Sequence, residues 1–411
     1  MASSSTPLAP STPTTPITVK GRFFWQDDRR FLINGVVYQP HGLGSPLIDP
    51  LADDQLHDLE RSIPLLKDLG INTIFVYYID NTNNHDAAMN MLAEAGIYVL
   101  PCIAPTHDQT SNLPYGSYRA DVIQWYFKAV DNMTKYSNTL GLVISCEFIK
   151  DVSKTAAAPI LRAIIRDVKK YIRLITRKKN QRALPVGIVV SDQRALLKLQ
   201  FDYFASEPDK DAIDFFGFND FFWVGRSSMQ ESGYNRLLDI FATTPIPVFF
   251  SRYGNNIITP RIFHDTHAIY CDFSMLSVFS GGFVFEFFQG ALQSGLIERS
   301  VSRRSGHLRF TKLTDFRNLR ESLRGSFMRL PAIISNSPPS VTLGERPQPP
   351  KINELWLAGG NLPKSPVKWL DVEEAIDDSE WVDVGKEILD QAVDDLGSSI
   401  KERLKIKDNR P

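Results

Sequence analysis

Apolar residues come in short bursts along this chain, and each burst is followed by a longer stretch where they recur every three or four positions. The bursts fall near 35–39, 73–78, 98–103, 141–145, 186–190, 213–219, 248–251 and 282–287. A short continuous apolar run marks a strand covered on both faces. Between the bursts, near 54–69, 85–95, 120–136, 156–175, 192–204, 230–241 and 262–279, the spacing is helical. In 156–175, for example, apolar side chains stand at 160, 161, 164, 165, 168 and 172, a 3.6-residue period. Eight strands alternating with helices predict an α/β fold of parallel order, closed into a (β/α)8 barrel. The competing architecture, an open doubly wound sheet, lacks its Gly-rich phosphate loop after the first strand. A last helical run near 315–323 completes the barrel. Ahead of it all, 23–38 reads as strands with Asn34-Gly35 as a turn.

The same pattern divides the chain. Residues 1–16 are rich in Ser, Thr and Pro and read as disordered. The barrel spans 17–330, a Pro-rich linker 331–368, and a helical tail 369–411 forms a non-barrel C-terminal extension. In the tail, Trp369, Ile376, Trp381, Val384, Ile388, Leu389 and Val393 recur at helical spacing. This predicts a helix packed on the barrel, with a partner-binding helix as the alternative.

Composition narrows the classes. The 411 residues are 43 % hydrophobic and 23 % charged with a net charge of −1, so nothing points to a nucleic-acid or membrane-surface partner. The basic run Arg162, Arg166, Lys169, Lys170, Arg173, Arg177, Lys178 and Lys179 reads as the solvated side of a barrel helix. Three cysteines, Cys102, Cys146 and Cys271, give neither a disulfide framework nor a zinc spacing. The seven histidines offer only His264-x-x-His267, so no metal and no cofactor is expected. No apolar leader, bilayer-length run or apolar tail is present, and the expected location is cytoplasmic. Asn132-Met-Thr134 is a glycosylation sequon.

Chemistry in such a barrel sits where strands end. Glu147 ends the fourth strand as a candidate acid or base, and Arg252 ends the seventh. Tyr77, Tyr78 and Asp80 follow the second. Phe215, Phe216, Phe218, Phe221, Phe222 and Trp223 crowd the sixth strand and its loop, where part must be core and part could stack on sugar rings.

These residues stand in recognisable blocks: GVVYQP (35–40), DPLADD (49–54), NTIFVYYIDNTNNHD (72–86), AGIYVL (95–100), DFFGFNDFFWVG (214–225), SGY (232–234), IPVFFSRYG (246–254) and SGGFVFEF (280–287). In order and spacing they resemble the fungal β-1,3-glucanosyltransferases of glycoside hydrolase family 72, from about Gly21 to Leu323. The resemblance implies a retaining transglycosylase of cell-wall glucan, with β-1,3-glucan or an oligosaccharide as partner. It also implies an acid/base Glu after the fourth strand and a nucleophile Glu after the seventh. Glu147 matches the first. The family's Ser-Glu-Tyr-Gly is here Ser251-Arg252-Tyr253-Gly254, so Arg252 holds the nucleophile position. Other departures are Cys146 for the Asn before the acid/base, Phe75 for an Arg, and Phe221 for the Tyr that orients the nucleophile. Tyr77, Asp192, Asn219 and Tyr253 match positions of the sugar cleft, where Cys146 and Phe221 also stand. The family's disulfide cysteines are replaced by His57, Ala88, Ser206, Val224 and Asn255.

A retaining glycosidase needs two carboxyl groups about 5–5.5 Å apart. Arginine stays protonated and has no lone pair to attack with. Its charge also opposes the positive charge that develops in the transition state. The expectation is therefore a salt bridge between Arg252 and Glu147, with transfer lost or impaired and glucan binding retained. Glu286, Asp220 and Asp80 are the carboxyls that could serve an inverting route, which needs about 6.5–9.5 Å between the pair. An intracellular scaffold and an active glucanosyltransferase are the alternative readings.

Overall fold

In a computed structural model of the chain, the structure describes residues 14–40, 48–105, 118–301, 308–335 and 344–377, the side chains of 331–335 excepted. The chain opens with an antiparallel sheet of β1 (Ile17–Lys20), β2 (Phe23–Gln26) and β3 (Arg29–Phe31). Eight parallel strands follow: β4 (Ile33–Val37), β5 (Thr73–Val76), β6 (Tyr98–Pro101), β7 (Leu142–Cys146), β8 (Val186–Val190), β9 (Phe215–Asn219), β10 (Val248–Tyr253) and β11 (Phe279–Val284). Their order is β6-β5-β4-β11-β10-β9-β8-β7. The ring closes between β6 and β7, where the Leu140 N–H donates to Val99 O at 2.8 Å and the Ile103 N–H to Val143 O at 2.9 Å. The expected (β/α)8 barrel is thus the fold.

The helices lie outside, as a strand buried on both faces requires. They are α1 (Leu56–Leu69), α2 (Asp86–Glu94), α3 (Ala120–Thr134), α4 (Ala158–Lys179), α5 (Arg194–Ala205), α6 (Tyr234–Phe241), α7 (His264–Cys271), α8 (Phe273–Val278), α9 (Thr314–Ser335) and α10 (Trp369–Asp377). Inside, aromatic rings fill the barrel. Phe24 of the N-terminal sheet plugs its floor, with ring centroids 6.0 Å from Phe215 and 6.2 Å from Phe249. Phe75 continues the stack upward, 5.6 Å from Phe283 and 5.1 Å from Tyr77.

Several expectations are corrected. Asn34-Gly35 is no turn but lies inside β4, paired with β5 and β11, and the glycine makes room for the Phe283 ring, whose nearest atom is 2.2 Å from an added Cβ. The turn sits instead at residues 27–28. The single helix over 262–279 is two, since the Asp272 side chain accepts the Met275 N–H at 3.0 Å and starts a new helix there. A hairpin of β12 (Ile297–Val301) and β13 (Leu308–Lys312) precedes α9.

Two cations of the supposedly solvated face of α4 are buried. Arg162 donates to the carbonyls of Tyr203, Ser206 and Glu207 and to the Ser206 hydroxyl, closing the C-terminal end of α5. Lys169 bonds Asp214, Asp209 O and Ala212 O at 2.7–2.9 Å. A carbonyl cluster of this kind suits a multi-donor cation, whose N–H groups reach several acceptors at once.

Residues 344–377 strap across α4 and α5. Trp356 is fully buried, 5.1 Å from the Tyr203 ring. Gly359 O accepts the Tyr203 hydroxyl at 3.1 Å, and Pro363 O accepts Arg166 at 3.0 Å. Helix α10 turns Val372 and Ile376 inward, and Trp369 lies 5.8 Å from Phe127 under the Lys170 ammonium. The apolar positions of the tail from Trp381 onward lie outside the described residues, as do residues 1–13.

Candidate functional site at the barrel mouth

The backbone carries Glu147 off the end of β7 in the left-handed region, at φ 57°. Its N–H remains tied to Val189 O at 2.8 Å. A non-glycine residue rarely adopts this conformation, and such strain collects at functional sites. The turn directs the carboxylate across the mouth toward β9 and β10.

There it meets Arg252. The expected salt bridge is present, between Arg252 Nη1 and Glu147 Oε1. The same oxygen accepts Asn219 Nδ2 at 2.8 Å, and Asn219 Oδ1 in turn accepts the Ser251 hydroxyl at 2.9 Å. A register shift on β10 between Phe250 and Arg252 brings both Ser251 and Arg252 to bear on Asn219. The guanidinium carbon lies 4.5 Å from the Tyr77 ring centroid and 5.3 Å from that of Phe285. Arg252 Nη2 reaches toward Cys146 Sγ at 3.9 Å. Burial alone would lower the Arg252 pKa, but Tyr77, Glu147, Cys146 and Glu286 around it outweigh burial and raise it. Burial pushes the Tyr77 hydroxyl and the Cys146 thiol well above their ordinary values.

Of the residues singled out in the sequence, the structure brings Glu147, Arg252, Tyr77, Cys146 and Asn219 into one cluster. Phe221 is half-buried beside it, 6.0 Å edge-to-face from Phe285. Asp192 is half-buried in the loop after β8. Tyr253 stands apart. It is fully buried and turned outward from the mouth, with its hydroxyl beside Thr266 and Tyr270 of α7. Phe215, Phe216 and Phe218 belong to the core, whereas Phe222 is exposed with Arg194 stacked 4.1 Å over its ring.

The other carboxyls serve different ends. Glu286 is buried, and burial pushes its pKa up to about 7 against the pull of Arg252 and Arg261. Asp220 is buried and paired with Arg194 at 2.5 Å. Asp80 holds the turn at Thr82 through its side-chain oxygen, at 2.9 Å to the Thr82 N–H.

Arg261 gave no signal in the sequence, being one arginine in a polar loop. In the structure it is buried and donates to Asp315, Gly254 O, Phe285 O and Ser294 O. It thereby fixes the ends of β10 and β11, which carry Arg252 and Glu286. Among the described residues no group of three His, Cys, Asp or Glu side chains could hold a metal ion.

A family profile described as glucanosyltransferase matches residues 8–325. The 1,3-beta-glucanosyltransferase GAS5 of Saccharomyces cerevisiae is 37 % identical over 370 residues, 89 % of this chain and 72 % of that protein. The 1,3-beta-glucanosyltransferase gel1 of Aspergillus fumigatus is 36 % identical over 343 residues, 83 % of this chain and 72 % of its own. Among solved structures, Saccharomyces cerevisiae Gas2p in complex with laminaritriose and laminaritetraose superposes with a TM-score of 0.74. That match is 30 % identical and covers 87 % of this chain and 79 % of the other. These similarities overturn the cytoplasmic location expected from the sequence: kinship with glucanosyltransferases at this level points to the cell wall or cell surface.

Proposed function

The chain belongs to the glucanosyltransferase family, and from that premise we propose that it binds β-1,3-glucan at the barrel mouth without carrying out retaining transfer. One observation carries the reading: the Glu147 carboxylate is committed to the Arg252 guanidinium. Retaining transfer needs a second carboxyl about 5–5.5 Å from the first, to attack the anomeric carbon. On β10 the side chain that would do so is a permanent cation with no lone pair. Glu147 Oε1 is taken up by Arg252 and Asn219 rather than facing a leaving oxygen. Arg252 also places positive charge where the reaction develops more of it, which opposes the step electrostatically. Glu286 and Asp220 are too buried to offer a substrate-facing base for an inverting route. Binding makes no such demand. A neutral sugar needs ring faces and hydrogen-bonding groups, and Gas2p, of the same fold, is seen with laminari-oligosaccharides bound.

The test is incubation with laminaripentaose, with products sized by mass and binding followed by calorimetry. The expected outcome is measurable binding with the oligosaccharide unchanged. Longer and shorter oligomers appearing together with the unmodified protein would overturn the reading. Arg252→Glu is expected to gain transfer, weakly, because Phe221 lacks the hydroxyl that would orient the new carboxylate.

A further inference from the structure

Arg252 Nε and Glu286 Oε2 are both buried without a partner among the described residues. They belong to one cluster. Tyr253 O accepts the Phe285 N–H at 2.9 Å, so Arg252 and Glu286 each stand one residue from the bond that joins the ends of β10 and β11. The guanidinium lies 5.3 Å from the Phe285 ring, and Arg252 and Glu286 act electrostatically on each other. A buried donor without an acceptor is costly, and so is a buried acceptor without a donor. Here each atom is what the other lacks.

Glu286 is 2 % exposed, and burial keeps its carboxyl protonated below about pH 7 against the pull of Arg252 and Arg261. A neutral carboxyl does not compete with Glu147 for a cation. Once the proton leaves, a buried carboxylate without a partner is far costlier than a paired one. The groups around it decide which cation answers. Arg261 is already committed to Asp315 and to the carbonyls of Gly254, Phe285 and Ser294. Tyr77 of the β5 end and Cys146 of β7 face Arg252 with groups that burial holds protonated. Arg252 has one ion pair among the described residues, to Glu147, whose side chain is 16 % exposed. Water or a ligand can reach Glu147, whereas Glu286 has no such recourse.

We propose that Arg252 exchanges partners, leaving Glu147 for Glu286 when Glu286 loses its proton, and so frees the Glu147 carboxylate to accept hydrogen bonds from glucan hydroxyls. The inference rests on the reading that the mouth binds glucan, and it adds a pH control to that site. Asn219, bonded to Glu147 through Nδ2 at 2.8 Å, stays beside the freed carboxylate, so a sugar meets a donor and an acceptor together. Transfer is not restored in either arrangement, because β10 still offers no nucleophile. A ligand held by Glu147 favours the second arrangement, and rising pH tightens its binding in return.

Two measurements on the full chain test this. Laminaripentaose is titrated by calorimetry from pH 5.5 to pH 8.5, and the Arg252 Nε–H resonance of nitrogen-15-arginine protein, assigned by Arg252→Lys, is followed without ligand over the same range. The expected result is an affinity about tenfold higher at the alkaline end, the effect of one hydrogen bond to a charged group, with an Nε–H that moves downfield in step. In Glu286→Gln, an isostere of the protonated acid, both are expected to stay at their acid-end values. Asp131, Asp220 and Asp265 also titrate in or near this range, and any contribution of theirs survives in that variant. Should Glu286→Gln not fold, the resonance in the unmodified chain still decides. An unmoved Nε–H with pH-independent binding overturns the exchange and leaves the glucan reading intact. A pH-dependent affinity that persists in Glu286→Gln assigns the titration to another group and overturns the exchange as well. An Nε–H that moves in a chain binding no laminaripentaose at any pH overturns the glucan reading and the control built on it, while the exchange of partners stands.

Discussion

Glu147 and Arg252 keep all but 16 % and 10 % of their side chains from water. Removing one of two paired, desolvated ions strands the other. Glu147→Ala should therefore destabilise the protein by about 3 kcal/mol, read from the urea midpoint. The double variant Glu147→Met with Arg252→Met should cost less than Glu147→Ala alone, since no charge is left unpaired. A cost for the double variant equal to the sum of the single ones would show that the two side chains do not interact. Both residues were legible in the sequence, because each ends an apolar run and strand ends face the mouth. Arg261 and Arg162 were not. An arginine that collects buried carbonyls looks like any other in a polar loop or a basic helix, and only the fold reveals which carbonyls converge on it. Tyr253 was misplaced for a related reason: alternate positions of a strand face opposite ways, and the irregularity in β10 cannot be counted from residue types.

At the scale of elements, the parallel strands announced themselves as apolar runs because both their faces are covered. The β12–β13 hairpin did not, since its buried positions are few: Ile297 and Leu308 are buried while Glu298, Ser300 and Lys312 are not. Helix α5 draws on a neighbour for its last turn, where Arg162 of α4 joins the Ser206 hydroxyl in donating to Tyr203 O and alone donates to Ser206 O. Arg162→Met retains the bulk but leaves Ser206 O buried without its donor and takes one of two donors from Tyr203 O, a loss of about 1–3 kcal/mol. It should lower the melting temperature, with hydrogen exchange accelerated first at the end of α5. If Arg162→Met proves as stable as the parent, the cap is ornamental and α5 is held by packing alone. Gly281 makes a comparable point for strands. At φ 85°, with an added Cβ only 2.1 Å from Ile33 O, it lets β11 lie close against β4, and even alanine should be poorly tolerated there.

The whole molecule is a barrel closed at its floor by an N-terminal sheet and bound along one flank by residues 344–377. Prolines give the strap the look of a linker in the sequence because they break regular structure, but they do not prevent burial. Trp356→Ala should cost about 3–5 kcal/mol, as for other fully buried large side chains, and calorimetric unfolding would register it. A second global property follows from buried acids. Burial pushes Asp131 up to about 6 and Asp265 and Glu286 up to about 7. Each holds a proton when folded that the unfolded chain has released above its ordinary value near pH 4. Folding thus binds protons between about pH 4 and pH 7, and stability falls as pH rises through that window. Denaturation midpoints from pH 5 to pH 8 should decline. A midpoint that climbs instead would mean these acids are ionised in the fold.

The pairing of Glu147 with Arg252 has one more consequence. Two facing carboxylates would gather a cloud of small cations at the barrel mouth, and each arriving ligand would disturb it. A matched ion pair gathers none. The glucan binding proposed for the barrel mouth should accordingly stay constant from dilute buffer to about half-molar sodium chloride.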